Sequence, residues 1–527
     1  MSAVKRSGLL EPRPAASLWH LARNVARHGV SLYAVAAWNA QRWPERVAVH
    51  DDAGPVSFRG LLALAGQSAG ALARHPEARR GVGLLCRNHV SFVAALLACG
   101  RLGLRAAPLN PASPADDLRA AAQSLGLLIC DDDLAGRLEP LGLPLVTVSA
   151  LTVSALNEAR AAQLPRRPLG RGSIVLHTSG TTGRPRPLER RPRALPLLRT
   201  LSALLERLPL RPGNRTLLTL PMFHGHGLST LTLCLTLGAP LHLSARAKPE
   251  DHWRRLSEEK IEVMVLVPTV LYRLLGSPLL APVPSLKAIV CGSAPLGAAL
   301  AERALQVFGP VLHNLYGASE TGLISHATPA QLLAAPGTVG TALPGTRVEV
   351  RVGGRLATVG EVRRVTVRGA LAVAGTPDGF HDTGDLGRLD ASGQLELHGR
   401  QDDLLIVGGE NVWPEAIEAQ IGALPGVQEC AVGGLPCAEY GQALQAWLVL
   451  REPPTPATLA RLECDLAVLL PRRLRPVRLH IVGALPRNAL GKLLRAQLNA
   501  QLKQSRVKQA DLPGGLSANS PARRSSG

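Results

Sequence analysis

The chain has 527 residues, which is too long for one compact core. Its composition, 46% hydrophobic and 19% charged, is ordinary for a soluble globular protein. Its formal net charge is +20, and only seven of its 59 basic residues are lysine. Because the arginines are spread along the whole chain and aromatic residues make up only 3%, the composition argues against a nucleic-acid-binding surface.

The cysteines and the N-terminus predict a protein of a reducing compartment. Eight cysteines form no Cys-x-x-Cys pair and lie mostly in apolar surroundings, as buried free thiols do. The first residues lack the pattern of a secretory signal, so we expect a cytoplasmic protein. A weak peripheral association with anionic membranes is the open alternative, and it predicts vesicle binding that is lost at high salt.

The first predicted element is an amphipathic helix over residues 19–43, with apolar residues at helical spacing. Short β-branched and apolar runs then alternate with helical stretches, which predicts parallel strands buried on both faces with helices between them. The predicted strands are 82–85, 106–109, 127–129, 263–267 and 288–290, and a helix is predicted at 91–102. The uncharged stretch 216–245 is interrupted by Pro221 and Pro240, which favours a helix, turn and strand over a membrane span.

The remaining segments complete an α/β fold. Alternating valines between 347 and 368 predict an antiparallel β subdomain. A strand at 404–407, a helix at 413–424 and strands at 443–450 and 479–482 predict a small α+β unit. We therefore expect a large N-terminal domain of parallel-rich sheets over residues 1–399, a small mobile C-terminal domain over 400–503 with a hinge near 402, and a disordered basic tail over 504–527.

A loop rich in hydroxyls and glycines follows the apolar residues 174–176 and predicts a phosphate cradle, because glycines let backbone N–H groups approach one anion. It is not the GxxxxGK[ST] loop, because no lysine follows Gly183. By itself such a turn is more often only a flexible loop. The residues predicted to contact phosphate are Thr178, Ser179, Gly180, Thr181, Thr182, Gly183 and Arg186.

Six further motifs follow in a fixed order. They are Pro-Met-Phe-His-Gly-His-Gly at 221–227, Cys-Gly-Ser-Ala-Pro at 291–295, Asn-Leu-Tyr-Gly-Ala-Ser-Glu-Thr-Gly at 314–322, Asp-Thr-Gly-Asp at 382–385, Gly-Arg-Gln-Asp-Asp at 399–403 running on to Gly-Gly-Glu-Asn-Val at 408–412, and Pro-Arg-Asn-Ala-Leu-Gly-Lys at 486–492. With the loop at 176–187, these motifs resemble the adenylate-forming superfamily of acyl-CoA synthetases, adenylation domains and luciferases, and most closely the fatty-acyl-CoA ligases. The resemblance extends from about residue 31 to residue 502.

The resemblance implies a role for each matching residue. Lys492 matches the mobile catalytic lysine, His224 the histidine that closes over the acyl site, and Glu320 the Mg²⁺ ligand. Asp385 and Arg400 match the ribose ligands, Asp402 the hinge, and Gly408 and Gly409 the channel for the CoA pantetheine. The other residues implied at ATP or AMP are Gly292, Ser293, Ala294, Pro295, Asn314, Tyr316, Gly317 and Ser319. The spacing of His224 and His226, without a third ligand, disfavours a metal site there.

The resemblance implies an ATP-dependent ligase that uses Mg²⁺, forms an acyl-AMP and transfers the acyl group to coenzyme A. The scarcity of aromatic residues favours a medium- or long-chain fatty acid over an aryl acid. Where the family loop usually ends Pro-Lys-Gly, this one ends in Pro185, Arg186 and Pro187, which alters the charge geometry and removes a backbone donor. The alternatives left open are an enzyme that loads a carrier protein and a nucleotide-binding homologue with impaired catalysis. Nothing in the sequence predicts the oligomeric state.

Overall fold

The structure is a computed structural model. It describes residues 9, 14–151, 165, 168–178, 186–190, 194–244, 249–318, 320–369, 379–407, 410–437, 441–471, 474, 478–488, 491–495 and 497–498. The chain divides between Gln401 and Asp402 into two compact units, except that Gly491 groups with the first. The predicted basic tail, 504–527, lies outside the described residues.

Two sheets dominate the first unit. The larger has nine strands in the order β15-β14-β13-β12-β11-β9-β10-β1-β2, and the other has six in the order β6-β5-β3-β4-β7-β8. The strands of the nine-stranded sheet are β1 Val47–Asp51, β2 Gly54–Ser57, β9 Thr216–Leu218, β10 Leu241–His242, β11 Val263–Leu266, β12 Ala288–Gly292, β13 Leu312–Ala318, β14 Gly322–Ala327 and β15 Thr341–Ala342. Those of the six-stranded sheet are β3 Val82–Leu85, β4 Arg105–Pro108, β5 Leu127–Cys130, β6 Leu145–Thr147, β7 Ser173–Thr178 and β8 Arg186–Arg190.

The inner strands of both sheets pair in parallel, as predicted, and β3, β5, β11 and β12 are buried at every residue. Helices precede and connect these strands. They are α1 Pro14–His28, α2 Leu32–Arg42, α3 Phe58–Ala73, α4 Val90–Leu102, α5 Ala115–Ala122, α6 Ala135–Leu138, α7 Ala194–Arg207, α8 Gly225–Leu237, α9 Pro249–Glu258, α10 Pro268–Leu275, α11 Ala298–Phe308 and α12 Pro329–Ala334. The predicted α/β class with parallel-rich sheets is therefore confirmed.

The single helix predicted for residues 19–43 is wrong, because the structure has two helices there, α1 and α2. Gly29 between them has a φ of +70°, a conformation that ends a right-handed helix. The Ser31 hydroxyl then accepts a hydrogen bond from the Ala34 N–H and caps the start of α2. Apolar periodicity continues across this break, which explains why the pattern resembled one helix.

A five-stranded antiparallel sheet confirms the predicted β subdomain of the first unit. Its strands, in the order β17-β16-β18-β19-β20, are β16 Thr346–Val352, β17 Arg355–Leu356, β18 Arg363–Gly369, β19 His381–Leu389 and β20 Leu395–Arg400. One face packs a small core that includes Val350, Val365 and Leu395. The same core contains Ile324 from β14 and thereby joins this sheet to the nine-stranded one.

The second unit is α+β. It contains a two-stranded sheet, β21 Leu405–Val407 with β22 Glu410–Val412, and a three-stranded sheet, β23 Val427–Cys437, β24 Gly441–Leu450 and β25 Arg478–Ile481. The helices α13 Pro414–Gly422 and α14 Pro456–Leu469 share one hydrophobic core with both sheets. β23 and α14 were not predicted; Gly433, Gly434 and Pro436 interrupt the strand pattern in β23.

No helix among the described residues is both long and apolar enough to cross a membrane. Cys86, Cys99, Cys130, Cys234 and Cys291 are buried free thiols, as expected from their surroundings in the sequence.

Candidate active site

The predicted phosphate loop is the connection between two paired strands. β7 and β8 are antiparallel, with Thr178 opposite Arg186 and His177 opposite Pro187, so the two ends of the loop are held together. The loop residues Ser179, Gly180, Thr181, Thr182 and Gly183 lie outside the described residues, as do the side chains of Thr178 and Arg186. Their contact with phosphate stays a prediction.

Three side chains predicted at the nucleotide meet between the nine-stranded and the five-stranded sheet. The Tyr316 hydroxyl on β13 donates a hydrogen bond of 2.6 Å to Asp385 Oδ2 on β19. Arg400 on β20 donates from Nη1 to Asp385 Oδ1 at 3.0 Å, and the two residues are cross-strand partners. Burial, followed by the charge of Asp385, raises the pKa of Tyr316, so the phenol stays a donor at neutral pH. The three residues form a fixed polar cluster around one carboxylate, as a ribose site requires.

The irregular part of β19 that carries Asp385 depends on a glycine. The Gly384 N–H donates to Asp382 Oδ1 at 2.8 Å, and the Asp385 N–H donates to the Thr383 hydroxyl at 3.1 Å. Gly384 has a φ of +73°, and a Cβ there would lie 2.7 Å from Arg400 Nη2. A side chain at 384 would therefore displace the guanidinium that faces Asp385.

The end of β12 meets the start of α8. Gly292 is the last residue of β12, and Ser293 after it adopts a φ of +71°, which is rare outside glycine. The Ser293 hydroxyl and His226 Nδ1 form a hydrogen bond of 2.9 Å. A Cβ on Gly292 would lie 3.1 Å from His226 Cε1, so the glycine makes room for the imidazole. Ala294 and Pro295 continue the same segment.

The sequence predicts no role for His226, because the spacing of His224 and His226 without a third ligand disfavours a metal site. His226 belongs to the motif at 221–227, and its hydrogen bond to Ser293 connects that motif to the one at 291–295. Its membership of the first motif is the signal in the sequence that points to it. Burial lowers the pKa of His226 to about 4, so its imidazole is neutral at physiological pH.

His224 and His177 add two more largely buried imidazoles to this unit. His224 occupies the N-cap position of α8 without a side-chain capping hydrogen bond. Its ring lies 4.4 Å from the Phe223 ring, and burial lowers its pKa to about 4. Within the described part of the chain, His224 Nε2 and His177 Nδ1 are buried and have no hydrogen-bond partner. His177 carries no predicted role, although it is the residue before the phosphate loop.

Asn314, Gly317 and Glu320 lie along and after β13. Asn314 is buried, and its amide donates to the Thr338 carbonyl at 3.4 Å, while its contact with the nucleotide stays a prediction. A Cβ on Gly317 would lie 2.5 Å from the Gly322 carbonyl oxygen, so this position keeps β13 and β14 together. Glu320 is half-buried in the turn after β13, while Ser319 lies outside the described residues. The Glu320 carboxylate is the kind of oxygen ligand that Mg²⁺ takes together with phosphate oxygens and water.

Lys492 lies in a tight loop of the second unit. The Asn488 N–H donates to the Lys492 carbonyl at 2.9 Å, and the Lys492 N–H donates to Asn488 Oδ1 at 2.9 Å. The loop is anchored on both sides, by Arg487 to Glu429 at 2.8 Å and by Arg495 to Glu418 at 2.6 Å. The backbone of this loop is thus held while the lysine side chain is exposed.

Asp402 is exposed in a single 3₁₀ turn and is the first residue of the second unit. Its position at the division between the two units is the one a hinge would occupy. Gly408 and Gly409 lie outside the described residues, so their predicted place in a CoA channel stays a prediction.

Comparison with known proteins assigns the family. The profile of the AMP-binding enzyme family matches residues 36–376, and that of the AMP-binding enzyme C-terminal domain matches residues 416–492. The chain belongs to the AMP-binding enzyme family. The predicted resemblance to adenylate-forming enzymes is therefore confirmed.

Named relatives of this AMP-binding enzyme are CoA ligases. The 2-succinylbenzoate–CoA ligase of Bacillus subtilis is 28% identical over 475 residues, which is 87% of this chain and 96% of the relative. The indoleacetate–CoA ligase of Aromatoleum aromaticum is 30% identical over 490 residues, covering 86% and 93%.

Solved structures of the Bacillus subtilis o-succinylbenzoate CoA synthetase also resemble this AMP-binding enzyme. Its complex with the acyl-adenylate OSB-AMP has a TM-score of 0.77 at 27% identity and covers 88% of this chain and 97% of that one. Its complex with ATP and a magnesium ion has a TM-score of 0.76 at 26% identity and covers 88% and 99%.

The buried neutral His226 makes the stability of the enzyme depend on pH. Its pKa is about 4 in the folded protein and about 6.5 in an unfolded chain, so between these values the unfolded state binds more protons. We expect the free energy of unfolding to fall as the pH drops from 6.5 to 4, and His226→Gln to lower that slope by up to about 1.4 kcal/mol per pH unit. Urea unfolding at several pH values measures this, and an unchanged slope in the variant would contradict it.

Proposed function

We propose that this AMP-binding enzyme is an ATP-dependent CoA ligase for an aryl carboxylic acid that carries a second polar group. The acid and MgATP give an acyl-AMP and pyrophosphate, and the CoA thiol then displaces AMP to form the thioester. The relatives with CoA-ligase names support the reaction. They do not support the expected fatty acid, because the acids in those names carry aromatic rings.

The Tyr316, Asp385 and Arg400 cluster supports the adenylate half of the reaction. A carboxylate accepts hydrogen bonds from two vicinal hydroxyls, so Asp385 would bind the ribose, with its orientation kept by Tyr316 and Arg400. The Tyr316 ring would also lie against the adenine. Glu320 would hold Mg²⁺, which supplies positive charge to the phosphate oxygens during attack of the acid. Lys492 would add charge at the α-phosphate and the acid carboxylate.

The observation that carries the class of acid is the contact between His226 and Ser293. It joins the two segments expected to border the acyl site, and it lines that border with imidazole and hydroxyl groups. Among the described residues, the buried Nε2 of His224 has no hydrogen-bond partner, and an alkyl chain could not supply one. Leaving a buried polar group unpaired costs free energy. A second carbonyl or carboxylate oxygen on the acid can accept from an imidazole N–H, and an indole N–H can donate to a bare imidazole nitrogen.

A panel of acids in ATP–pyrophosphate exchange tests the proposal. We expect 2-succinylbenzoate and indole-3-acetate to give a kcat/KM at least tenfold above that of octanoate or palmitate, with benzoate between them. Higher exchange with the fatty acids would refute the acid class while leaving the ligase reaction intact. Thioester formation on addition of CoA, compared with a phosphopantetheine-bearing carrier protein, separates the two acceptors.

The division of the chain at Asp402 supports a second proposal, that the small unit rotates between the two half-reactions about this residue. Proline fixes φ and removes the N–H, so Asp402→Pro should restrict that rotation. We expect adenylation within threefold of wild type and thioester formation from preformed acyl-AMP reduced at least tenfold. Asp402→Ala, which removes the carboxylate but keeps the backbone N–H and a free φ, is the matched control, and equal loss of both half-reactions in Asp402→Pro would refute the hinge.

A second candidate function, a nucleotide-binding homologue with impaired chemistry, is favoured only by Arg186 and Pro187. Pro187 pairs with His177 inside the β7–β8 ladder, which places this departure in a strand beside the loop. Absence of ATP–pyrophosphate exchange with every acid, together with retained ATP binding, would support this second function. In that case Arg186→Lys with Pro187→Gly should restore exchange.

A further inference from the structure

Two histidines and a glutamate meet at the strands β1 and β10, which lie near the β2 edge of the nine-stranded sheet. His50 on β1 and His242 on β10 are in register on neighbouring parallel strands, and their rings are 5.0 Å apart. Glu259 follows helix α9. Its Oε2 is hydrogen-bonded to His242 Nδ1 and lies 3.9 Å from His50 Nδ1. The three candidate ligand atoms all lie within 4.8 Å of one another.

We propose that His50, His242 and Glu259 form a binding site for a transition-metal dication such as Zn²⁺. Two imidazoles and one carboxylate are an established ligand set for zinc, with water in the fourth position. Each histidine would bind through Nδ1, so its proton would sit on Nε2. The metal would then connect β1, β10 and the end of α9.

The surrounding charges fit a dication. Arg255 donates from Nη1 to Glu259 Oε1 at 3.1 Å and orients the carboxylate as supporting hydrogen bonds do in metal sites. The metal would replace the proton that Glu259 Oε2 and His242 Nδ1 share. Arg255 also donates from Nη2 to Asp52 Oδ1 at 2.5 Å. With neutral imidazoles, two carboxylates and one guanidinium give the cluster a net charge of −1. His50 and Glu259 are partly exposed, which lets an ion reach the site from solvent.

A second cluster, Cys86, His89 and Asp131, is equally compact, but hydrogen bonds from groups outside the cluster occupy its ligand atoms. His89 Nδ1 accepts from the Phe92 N–H at 3.2 Å, so its proton lies on Nε2 and is donated to Asp131 Oδ1 at 2.7 Å. Asp131 Oδ2 accepts from the Arg87 N–H and guanidinium. Burial raises the pKa of the Cys86 thiol, which keeps it protonated. This cluster therefore serves as an internal control.

Titration of the full-length, chelator-stripped protein with Co²⁺, in excess Mg²⁺ to fill the predicted site at Glu320, tests the proposal. We expect one equivalent of Co²⁺ to bind with the intense visible absorption of a low-coordinate ion, and Zn²⁺ to displace it. His50→Gln should weaken binding at least tenfold, whereas His89→Gln should leave it unchanged. Absence of binding by the wild type, or loss in His89→Gln but not in His50→Gln, would overturn the site.

A stability measurement guards against misfolding of the variants. A ligand that binds only the folded state raises the melting temperature, so Zn²⁺ should do so in the wild type and in His89→Gln but not in His50→Gln. Circular dichroism without metal checks that all three proteins are folded. Because neither readout uses ATP or acid, failure of the metal site leaves the proposed ligase function untouched.

Discussion

Replacing Lys492 by alanine is expected to lower the rate of acyl-AMP formation about 10³-fold, while thioester formation from synthetic acyl-AMP stays within a few-fold of wild type. Loss of one preorganised charge at a developing anion costs about 10²–10³ in rate. The loop that carries Lys492 is anchored through Arg487 and Arg495, so the substitution leaves its backbone in place. Single-turnover assays of each half-reaction measure the two rates.

A lysine elsewhere in the chain provides the control. Lys287 is exposed and pairs with Glu262 at 2.6 Å, an ion pair of the kind that contributes little to stability. Lys287→Ala should leave both half-reactions unchanged. Full adenylation by Lys492→Ala, or a loss shared by Lys287→Ala, would remove Lys492 from the proposed catalytic role.

Replacing Asp385 by asparagine is expected to lower kcat/KM for ATP about 10²-fold, chiefly through KM. The variant keeps the size of the side chain but loses the charge that pairs with Arg400 and that, in the proposed function, binds the ribose hydroxyls. Hydrogen bonds to a charged group contribute about 1.5–3 kcal/mol each, which corresponds to this loss. The KM for the acid should change little, because the acid lies at the other end of the adenylate.

The matched control for Asp385 is Asp390→Asn in the turn between β19 and β20. Asp390 is exposed, and its carboxylate accepts from the N–H groups of Ser392 and Gln394. This variant should leave the KM for ATP unchanged. A rise in the KM for the acid equal to that for ATP in Asp385→Asn would show that the carboxylate supports the fold of the site rather than the ribose.

The parallel strands could be predicted because a strand that is buried on both faces has apolar residues at nearly every position. Val263–Leu266 and Ala288–Gly292 are such strands, and the structure pairs them residue by residue. The break at Gly29 between α1 and α2 was missed although glycine is a helix-ending signal, because apolar spacing on both sides continued. The apolar periodicity on both sides therefore hid the helix break that Gly29 indicates.

The contacts that build the site were less predictable than its residues. Tyr316 and Asp385 are 69 positions apart, and only the packing of two sheets brings the phenol to the carboxylate. His226 and Ser293 are 67 positions apart and meet because Gly292 lacks a Cβ. A motif can therefore indicate which side chains matter, while their partners depend on long-range packing that spacing along the chain does not encode.

The proposed two-step reaction is tested most directly by a single-turnover reaction with ATP and 2-succinylbenzoate without CoA, followed by addition of CoA. We expect acyl-AMP and pyrophosphate to form in equal amounts, and CoA then to convert the acyl-AMP to the thioester and free AMP. Formation of ADP and phosphate, or a thioester that appears without a preceding acyl-AMP, would contradict it.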